Sequence, residues 1–287
     1  MKIIRTINEM KSYHKMNQEK DIGLVPTMGY LHEGHLSLAD KAKKENDLVV
    51  MSIFVNPLQF GPNEDYDAYP RDEEKDIMTA KKRGIDVLFI PTVNEMYPKQ
   101  LGIKLIVEQG TDVLCGRTRP GHFDGVGTVL TKLFHIIQPK KAYFGLKDAQ
   151  QFAIVHHLVE QLNFPLQVVG LPTVREADGL AKSSRNVNLS SVERQEATVL
   201  YKSLQHARNL IVDDVKNPAM IKTEVKKIVE NESSGKIDYI EILNYPDLKT
   251  IDTISEQVII AIAVQFNQAR LIDNIILSST GEIIERL

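Results

Sequence analysis

A short apolar run, Ile22-Gly23-Leu24-Val25, stops at Pro26-Thr27-Met28-Gly29-Tyr30-Leu31-His32-Glu33-Gly34-His35, and a helix-patterned stretch over residues 36–46 follows at once. An apolar run, a glycine-containing turn and a helix in that order describe the first βα junction of a parallel sheet. Leu36, Leu38, Ala39 and Ala42 form the apolar side of that helix. His32 and His35 sit where the helix should begin, three residues apart and on the same side of one turn. A helix N-terminus has unpaired N–H groups and the positive end of a dipole, so it attracts an anion. Two imidazoles there would add donors at the same spot. The small Gly34 between them lets a flat ring or a phosphate come close to the backbone.

The pattern repeats along the chain. Thr6 and Glu9 fit a capping box that opens a helix ending near residues 14–16. Further buried strands are expected over residues 47–54, 86–90, 141–144 and 166–171, and a short one over 103–107. Helices are expected over 72–83, 126–137 and 149–162, with Gly84 stopping the first of them. Residues 58–70 and 116–123 read as loops. This alternation predicts an α/β fold, a doubly wound, Rossmann-like parallel sheet. Beyond it the character changes, with two amphipathic helices over 190–212 and 218–231 and then strands over 236–243, 257–266 and 271–277. The expected organisation is therefore a Rossmann-like α/β domain over 1–174 and a smaller C-terminal α+β domain over 175–287.

Composition narrows the function. The 287 residues are 43% hydrophobic and 25% charged, as in an ordinary globular protein with a well-buried core. A net charge of -3 argues against binding nucleic acid by phosphate neutralisation. No apolar run approaches the roughly 20 residues of a membrane span, and Met1-Lys2-Ile3-Ile4-Arg5 lacks a signal-peptide core. One cysteine, Cys115, excludes an internal disulfide and a multi-cysteine metal site. These features predict a cytoplasmic protein acting on a small molecule.

Three stretches carry the chemistry, and each has a plainer reading. His32 and His35 could be loop histidines or metal ligands, but His-x-Gly-His lacks the i, i+4 spacing of a zinc-protease helix, and no protein metal ligand is assigned. The strand-glycine-helix setting favours an anion. Gly145-Leu146-Lys147-Asp148 follows another expected strand and opens onto the same sheet edge. Lys147 is there a point charge for a phosphate, and Asp148 a helix cap that can also touch a nucleotide hydroxyl or hydrated Mg²⁺. Taken alone, this stretch reads better as a capped turn that needs no ligand. Lys182-Ser183-Ser184-Arg185 places two hydroxyls and two cations in four residues, with Gly179 before them as an expected hinge. It reads equally as an anion clamp or as a solvated loop.

Other motifs are missing. There is no Walker A loop, no G-x-S-x-G elbow and no dinucleotide fingerprint, since Gly125-Val126-Gly127 lacks the third glycine and the preceding strand. His156-His157 falls mid-helix and reads as packing or surface, and Cys115 reads as a passive loop thiol.

His-x-Gly-His together with the later Lys-Ser-Ser-Arg resembles the two signatures of class I aminoacyl-tRNA synthetases and nucleotidylyltransferases. Within that superfamily the pantothenate synthetase (pantoate-β-alanine ligase) family is similar over essentially the whole chain. The similarity is carried by Pro26-Thr27-Met28-Gly29 leading to His35, by Phe54-Val55-Asn56-Pro57-Leu58-Gln59-Phe60, and by Arg119-Pro120-Gly121-His122-Phe123-Asp124-Gly125-Val126. Gly145-Leu146-Lys147-Asp148-Ala149-Gln150-Gln151 and Ser183-Ser184-Arg185-Asn186 complete it.

The resemblance implies joining of pantoate to β-alanine through a pantoyl adenylate, using ATP with Mg²⁺ and releasing AMP and pyrophosphate. It implies nucleotide contacts at Met28, Gly29, Tyr30, Leu31, His32, Glu33, Gly34 and His35, at Gly145, Leu146, Lys147 and Asp148, and at Val174, Lys182, Ser183, Ser184 and Arg185. His35, His32, Lys147 and Arg185 are the expected catalytic donors. Gln59 and Gln151 match pantoate-binding glutamines, Gln59 also near β-alanine, with Met28, Phe54, Val126 and Val129 as an apolar lining for the pantoate methyls. A homodimer is implied as well. Two positions depart from the family pattern, Lys182 where many members carry methionine and Leu146 where many carry glutamate. The competing functions are a nucleotidylyltransferase that keeps AMP in its product, which would share both signatures, and a non-catalytic nucleotide sensor. An RNA-charging role is the weakest reading.

Overall fold

Parallel pairing requires strands that are apolar on both faces, and the first half of the chain supplies them. The computed structural model describes residues 1–62, 64 and 66–287. Asn63 and Asp65, within the loop expected over 58–70, lie outside the described residues. The chain divides into two units, Met1–Gly145 with Ile154–Leu171, and Leu146–Ala153 with Pro172–Leu287.

In chain order the first unit contains β1 (Lys2–Ile4), α1 (Ile7–Met16), β2 (Ile22–Thr27), α2 (Glu33–Glu45) and β3 (Leu48–Ile53). It continues with α3 (Glu73–Lys82), β4 (Val87–Phe89), α4 (Val93–Met96), α5 (Leu114–Thr118), α6 (His122–Ile137) and β5 (Lys141–Gly145). The later part of α7 (Ala149–Gln161) and then β6 (Gln167–Leu171) complete it. Among the described residues these six strands form one sheet in the order β1-β4-β3-β2-β5-β6, every pair parallel. Strand order reverses between β2 and β5, and open α/β sheets bind ligands at the carboxyl ends of the strands at such a point. Val25, Met51, Leu88 and Tyr143 join Leu38, Ala39 and Ala42 of α2 and Ala80 of α3 in one core. Leu24, Val50, Phe89 and Ala142, of opposite parity on the same strands, are buried too.

The second unit packs α8 (Ser191–Glu196), α9 (Val199–Val212) and α10 (Pro218–Glu232) with an antiparallel sheet of β7 (Lys236–Asn244), β8 (Val258–Gln265) and β9 (Arg270–Leu277). β8 is the central strand and is buried along nearly its whole length. Its Val258, Ile260, Ile262 and Val264 meet Leu200, Leu204, Ala207 and Ile211 of α9 and Ile221, Val225 and Val229 of α10.

Several expectations change in detail. No strand forms over 103–107: Ile103 and Ile106 are exposed, and the Val107 N–H goes to the Asp124 carboxylate rather than to a ladder. The stretch 116–123 is not all loop, because α5 covers its start and α6 begins at His122, four residues before the expected Val126. Residues 190–212 hold two helices rather than one, with Ser190 capping the first. Similarly, α2 starts at Glu33, three residues before its apolar periodicity, because His32 caps it. Gly179, expected as a hinge, lies inside the second unit in a closed turn at φ 93°, where Glu176 N–H donates to Leu180 O at 2.8 Å. No helix among the described residues is long and apolar enough to cross a membrane.

Candidate active site

At the end of β2 the chain is tied down before it turns. The Thr27 hydroxyl donates to Ser52 O at 2.7 Å on neighbouring β3 and accepts the Gly29 N–H at 3.1 Å. Tyr30 then takes a left-handed conformation at φ 52°. Asp76, on α3 and 3% exposed, holds it there by accepting the Tyr30 N–H at 2.8 Å and the Leu31 N–H at 2.7 Å. Burial pushes the Asp76 carboxyl above the usual carboxylate range, against the pull of those two donors.

The chain enters α2 through His32. Its Nδ1 accepts the Gly34 N–H at 3.1 Å, while Nδ1 of His35 accepts the His32 N–H at 3.4 Å, a reciprocal cap built from two imidazoles. The rings lie 4.0 Å apart, centroid to centroid. An Nδ1 that accepts carries no proton, so each neutral ring bears its proton on Nε2. The flat ring that approaches Gly34 is that of His32: a β-carbon there would lie 2.8 Å from its Cε1. Met28, Gly29, Tyr30, Leu31, Glu33 and both histidines thus belong to one turn at the carboxyl edge of the sheet.

A second turn leaves β3 beside it. Phe54 N–H donates to Thr27 O at 3.0 Å, and a 3₁₀ turn over Pro57–Gln59 follows. Asn56 is fully buried and donates to Gln59 Oε1 and to Gly125 O, both at 3.0 Å, while accepting from the Tyr97 hydroxyl at 2.9 Å. The first turn of α6 lies directly on this segment, since a β-carbon on Gly125 would collide with the Leu58 backbone. Val126 is the next residue on that helix, with Val129 one turn on, and both are buried. The Gln59 carbonyl accepts from Arg119 Nη2 at 3.1 Å and His122 Nδ1 at 2.8 Å. Burial pushes the neighbouring Glu64 up, but the hydrogen bonds and charge of Arg119, with His122, outweigh it and leave Glu64 below its ordinary range. Gln59 is therefore fixed at its side chain and at its carbonyl.

Within the second unit, β9 organises the remaining segments. Asn274 donates from Nδ2 to Leu146 O at 3.0 Å and Lys147 O at 2.8 Å, and the Tyr245 hydroxyl donates to Ala149 O at 3.1 Å. These bonds explain why residues 146–153 belong to this unit although β5 and the end of α7 do not. Lys147 Nζ lies 3.5 Å from the half-exposed Asp148 carboxylate. Adjacent Asp273 takes Arg175 in a two-point pair at 2.6 and 2.9 Å, with the guanidinium 3.9 Å over the Tyr201 ring. That pair seats the turn in which Lys182 N–H donates to Val174 O at 2.9 Å. Lys182 Nζ lies 3.2 Å from Glu176, so the added cation already has a carboxylate partner. Ser183 caps the 3₁₀ turn Ser184–Asn188, accepting the Arg185 N–H.

The expected site residues thus fall into two groups. Met28 to His35, Phe54, Gln59, Val126, Val129 and Gly145 belong to the first unit, and Leu146, Lys147, Asp148, Gln151, Val174 and residues 182–185 to the second. Sequence reasoning did not single out Asp76, Tyr97, Asp273 or Asn274, and Asn56 entered only as part of the stretch from Phe54 to Phe60. Each acts by holding backbone or another side chain, a task with no local pattern. Arg119 and His122 had a signal, the Arg-Pro-Gly-His stretch.

A sequence profile described as pantoate-beta-alanine ligase matches residues 2–276. Pantothenate synthetase of Geobacillus sp. (strain WCH70) is 55% identical over 274 residues, 96% of this chain and 97% of its own. That of Bacillus subtilis (strain 168) is 54% identical over 268 residues, 93% of either chain. The crystal structure of pantothenate synthetase from Thermus thermophilus superposes with a TM-score of 0.91 at 43% identity, over 97% of this chain and 99% of that one. The Francisella tularensis pantoate-beta-alanine ligase, complexed with beta-gamma ATP and beta-alanine, superposes at 0.79 and 35% identity, over 96% of this chain and 97% of that one.

Proposed function

Because the chain belongs to the pantoate-β-alanine ligase family, we propose that it condenses pantoate with β-alanine at the expense of ATP by way of a pantoyl adenylate. The observation that carries this reading is the imidazole-capped N-terminus of α2 at the strand-order reversal, a place suited to polyphosphate. The pantoate carboxylate attacks the α-phosphorus; an O–P bond forms and the bond to the β-phosphate bridging oxygen breaks, releasing pyrophosphate. The β-alanine amine then attacks the acyl carbon, the bond to AMP breaks, and the nitrogen loses a proton. No protein nucleophile takes part.

In this scheme His32 and His35 give Nε2–H donors to the phosphates, and Lys147, Lys182 and Arg185 supply charge where it builds. Residues 28–35, 145–148, Val174 and 182–185 serve the nucleotide. Gln59 and Gln151 hold the polar end of pantoate, and Met28, Phe54, Val126 and Val129 line its methyls. Asp148, half-exposed beside Lys147, suits a hydrated Mg²⁺ held mostly by phosphate oxygens and water; when bound, the ion neutralises phosphate charge. Residues 1–174 serve as the nucleotide- and pantoate-binding domain and residues 175–287 as the smaller lid domain. The working form is a cytoplasmic homodimer, which sedimentation equilibrium checks.

The test omits each substrate in turn. ATP with pantoate alone should support exchange of labelled pyrophosphate into ATP, and AMP should accumulate only when β-alanine is added. Exchange that needs β-alanine would sink the adenylate and favour a single concerted step. AMP retained in the product would favour the nucleotidylyltransferase.

A further inference from the structure

Helix α7 carries a cluster that the reaction above does not use. His156 and Glu160 stand four residues apart and His157 and Glu160 three, so Glu160 faces each histidine across one helical turn. His156 Nδ1 lies 3.4 Å from Glu160 Oε2, and His157 Nδ1 lies 3.9 Å from the same oxygen. One potential ligand atom from each residue falls within 4.8 Å of the other two. All three belong to the first unit.

These spacings suit a metal ion. Bonds of about 2.0–2.1 Å in a tetrahedral zinc site put neighbouring ligand atoms about 3.4 Å apart. The His156–Glu160 pair is already at that separation. The wider His157–Glu160 gap needs a rotation of Glu160, whose side chain is 63% exposed. The far side of His157 offers an independent feature. Its Nε2 lies 3.5 Å from the Gln109 carboxamide, whose oxygen and nitrogen exchange places by a simple flip. A metal on Nδ1 puts the ring proton on Nε2, and the amide oxygen then accepts it, the kind of outer hydrogen bond that orients metal-bound imidazoles.

We propose that His156, His157 and Glu160 bind a divalent transition-metal ion of the zinc class, with water completing its shell. Two imidazoles and one carboxylate favour zinc, cobalt, nickel or copper over the hard, oxygen-seeking Mg²⁺. The site is thus distinct in chemistry from the one that accompanies the nucleotide. Bridging one turn, the ion stiffens the end of α7.

The experiment titrates the full-length protein with ZnCl₂ at neutral pH by calorimetry, and with CoCl₂ by visible absorption. One equivalent should bind, and His157→Gln and Glu160→Gln should each weaken zinc binding by about tenfold or more. His156→Gln repeats the test should the half-buried His157 prove necessary for the helix. All three variants should keep normal Mg²⁺-dependent AMP formation, because none of these residues serves the proposed reaction. MgCl₂ at the same concentration should not compete. Failure to bind zinc at millimolar concentration would overturn the proposal and leave only side-chain contacts between the histidines and Glu160. Zinc affinity unchanged in the variants would overturn it too, placing the ion elsewhere on the chain.

Discussion

His35 shows how much one ring can be asked to do. Its Nδ1 helps cap α2, and its Nε2–H is the donor proposed for the nucleotide. His35→Ala should lower kcat by about 10²-fold or more, the usual loss when one aimed donor is removed. The same is expected of Lys147→Ala, whose charge sits on a turn fixed by Asn274. Near-normal turnover in either purified variant would remove that residue from the mechanism. Gln59 differs, because its carbonyl is pinned by Arg119 and His122 whatever its side chain does. Gln59→Ala should therefore keep the fold and raise the KM for pantoate more than that for ATP. Equal effects on both substrates would displace the pantoate pocket.

At the scale of elements, α3 supports α2 through Asp76. Asp76→Asn keeps the volume but presents an N–H₂ toward one of two backbone N–H groups. It should cost about 1–3 kcal/mol in denaturant unfolding, the usual penalty for an unsatisfied buried donor, and lower kcat by loosening the turn before His32. A variant as stable and active as the parent would show that the turn holds itself. The other end of α2 is tied to β5 through Glu45, which is bonded by Lys41, Tyr143 and Lys141. The Lys41 contact leads, with Tyr143 and Lys141 adding to it, and together they bring the Glu45 carboxyl down to about 2. A depressed carboxyl contributes stability above its unfolded value, 4.5 here, and loses it as pH falls toward about 2. Glu45→Gln should thus lower Tm near neutrality, with the difference from the parent shrinking between those two pH values. A difference independent of pH would mean that packing, not charge, ties the helix.

Across the whole molecule, each unit has its own core, and the second depends on a buried ion pair. Removing one partner of such a pair costs about 3–5 kcal/mol, because the remaining charge is stranded. Asp273→Ala should strip hydrogen-exchange protection from β8 while sparing β3, and equal loss in both would show a single cooperative structure. The sequence by itself determined the parallel sheet, because period and apolarity are local signals. It likewise marked the βα turns at residues 26–35 and 145–148 and the change of character after β6. Its resemblance to one family identified that family, whose profile matches residues 2–276. It could not show that His32 and His35 cap their own helix through Nδ1, since their neighbours Pro26 to Gly34 suggest only a turn. It left residues 103–107 looking like a strand, because apolar alternation does not reveal whether a partner strand exists. Only the tertiary structure decided that Asp76, Asn56, Asp273 and Asn274 hold the segments that carry the candidate site residues. These contacts join residues 45 to 128 positions apart for Asp76 and Asn274, and side-chain-to-backbone bonds over such distances have no periodicity for a sequence to display.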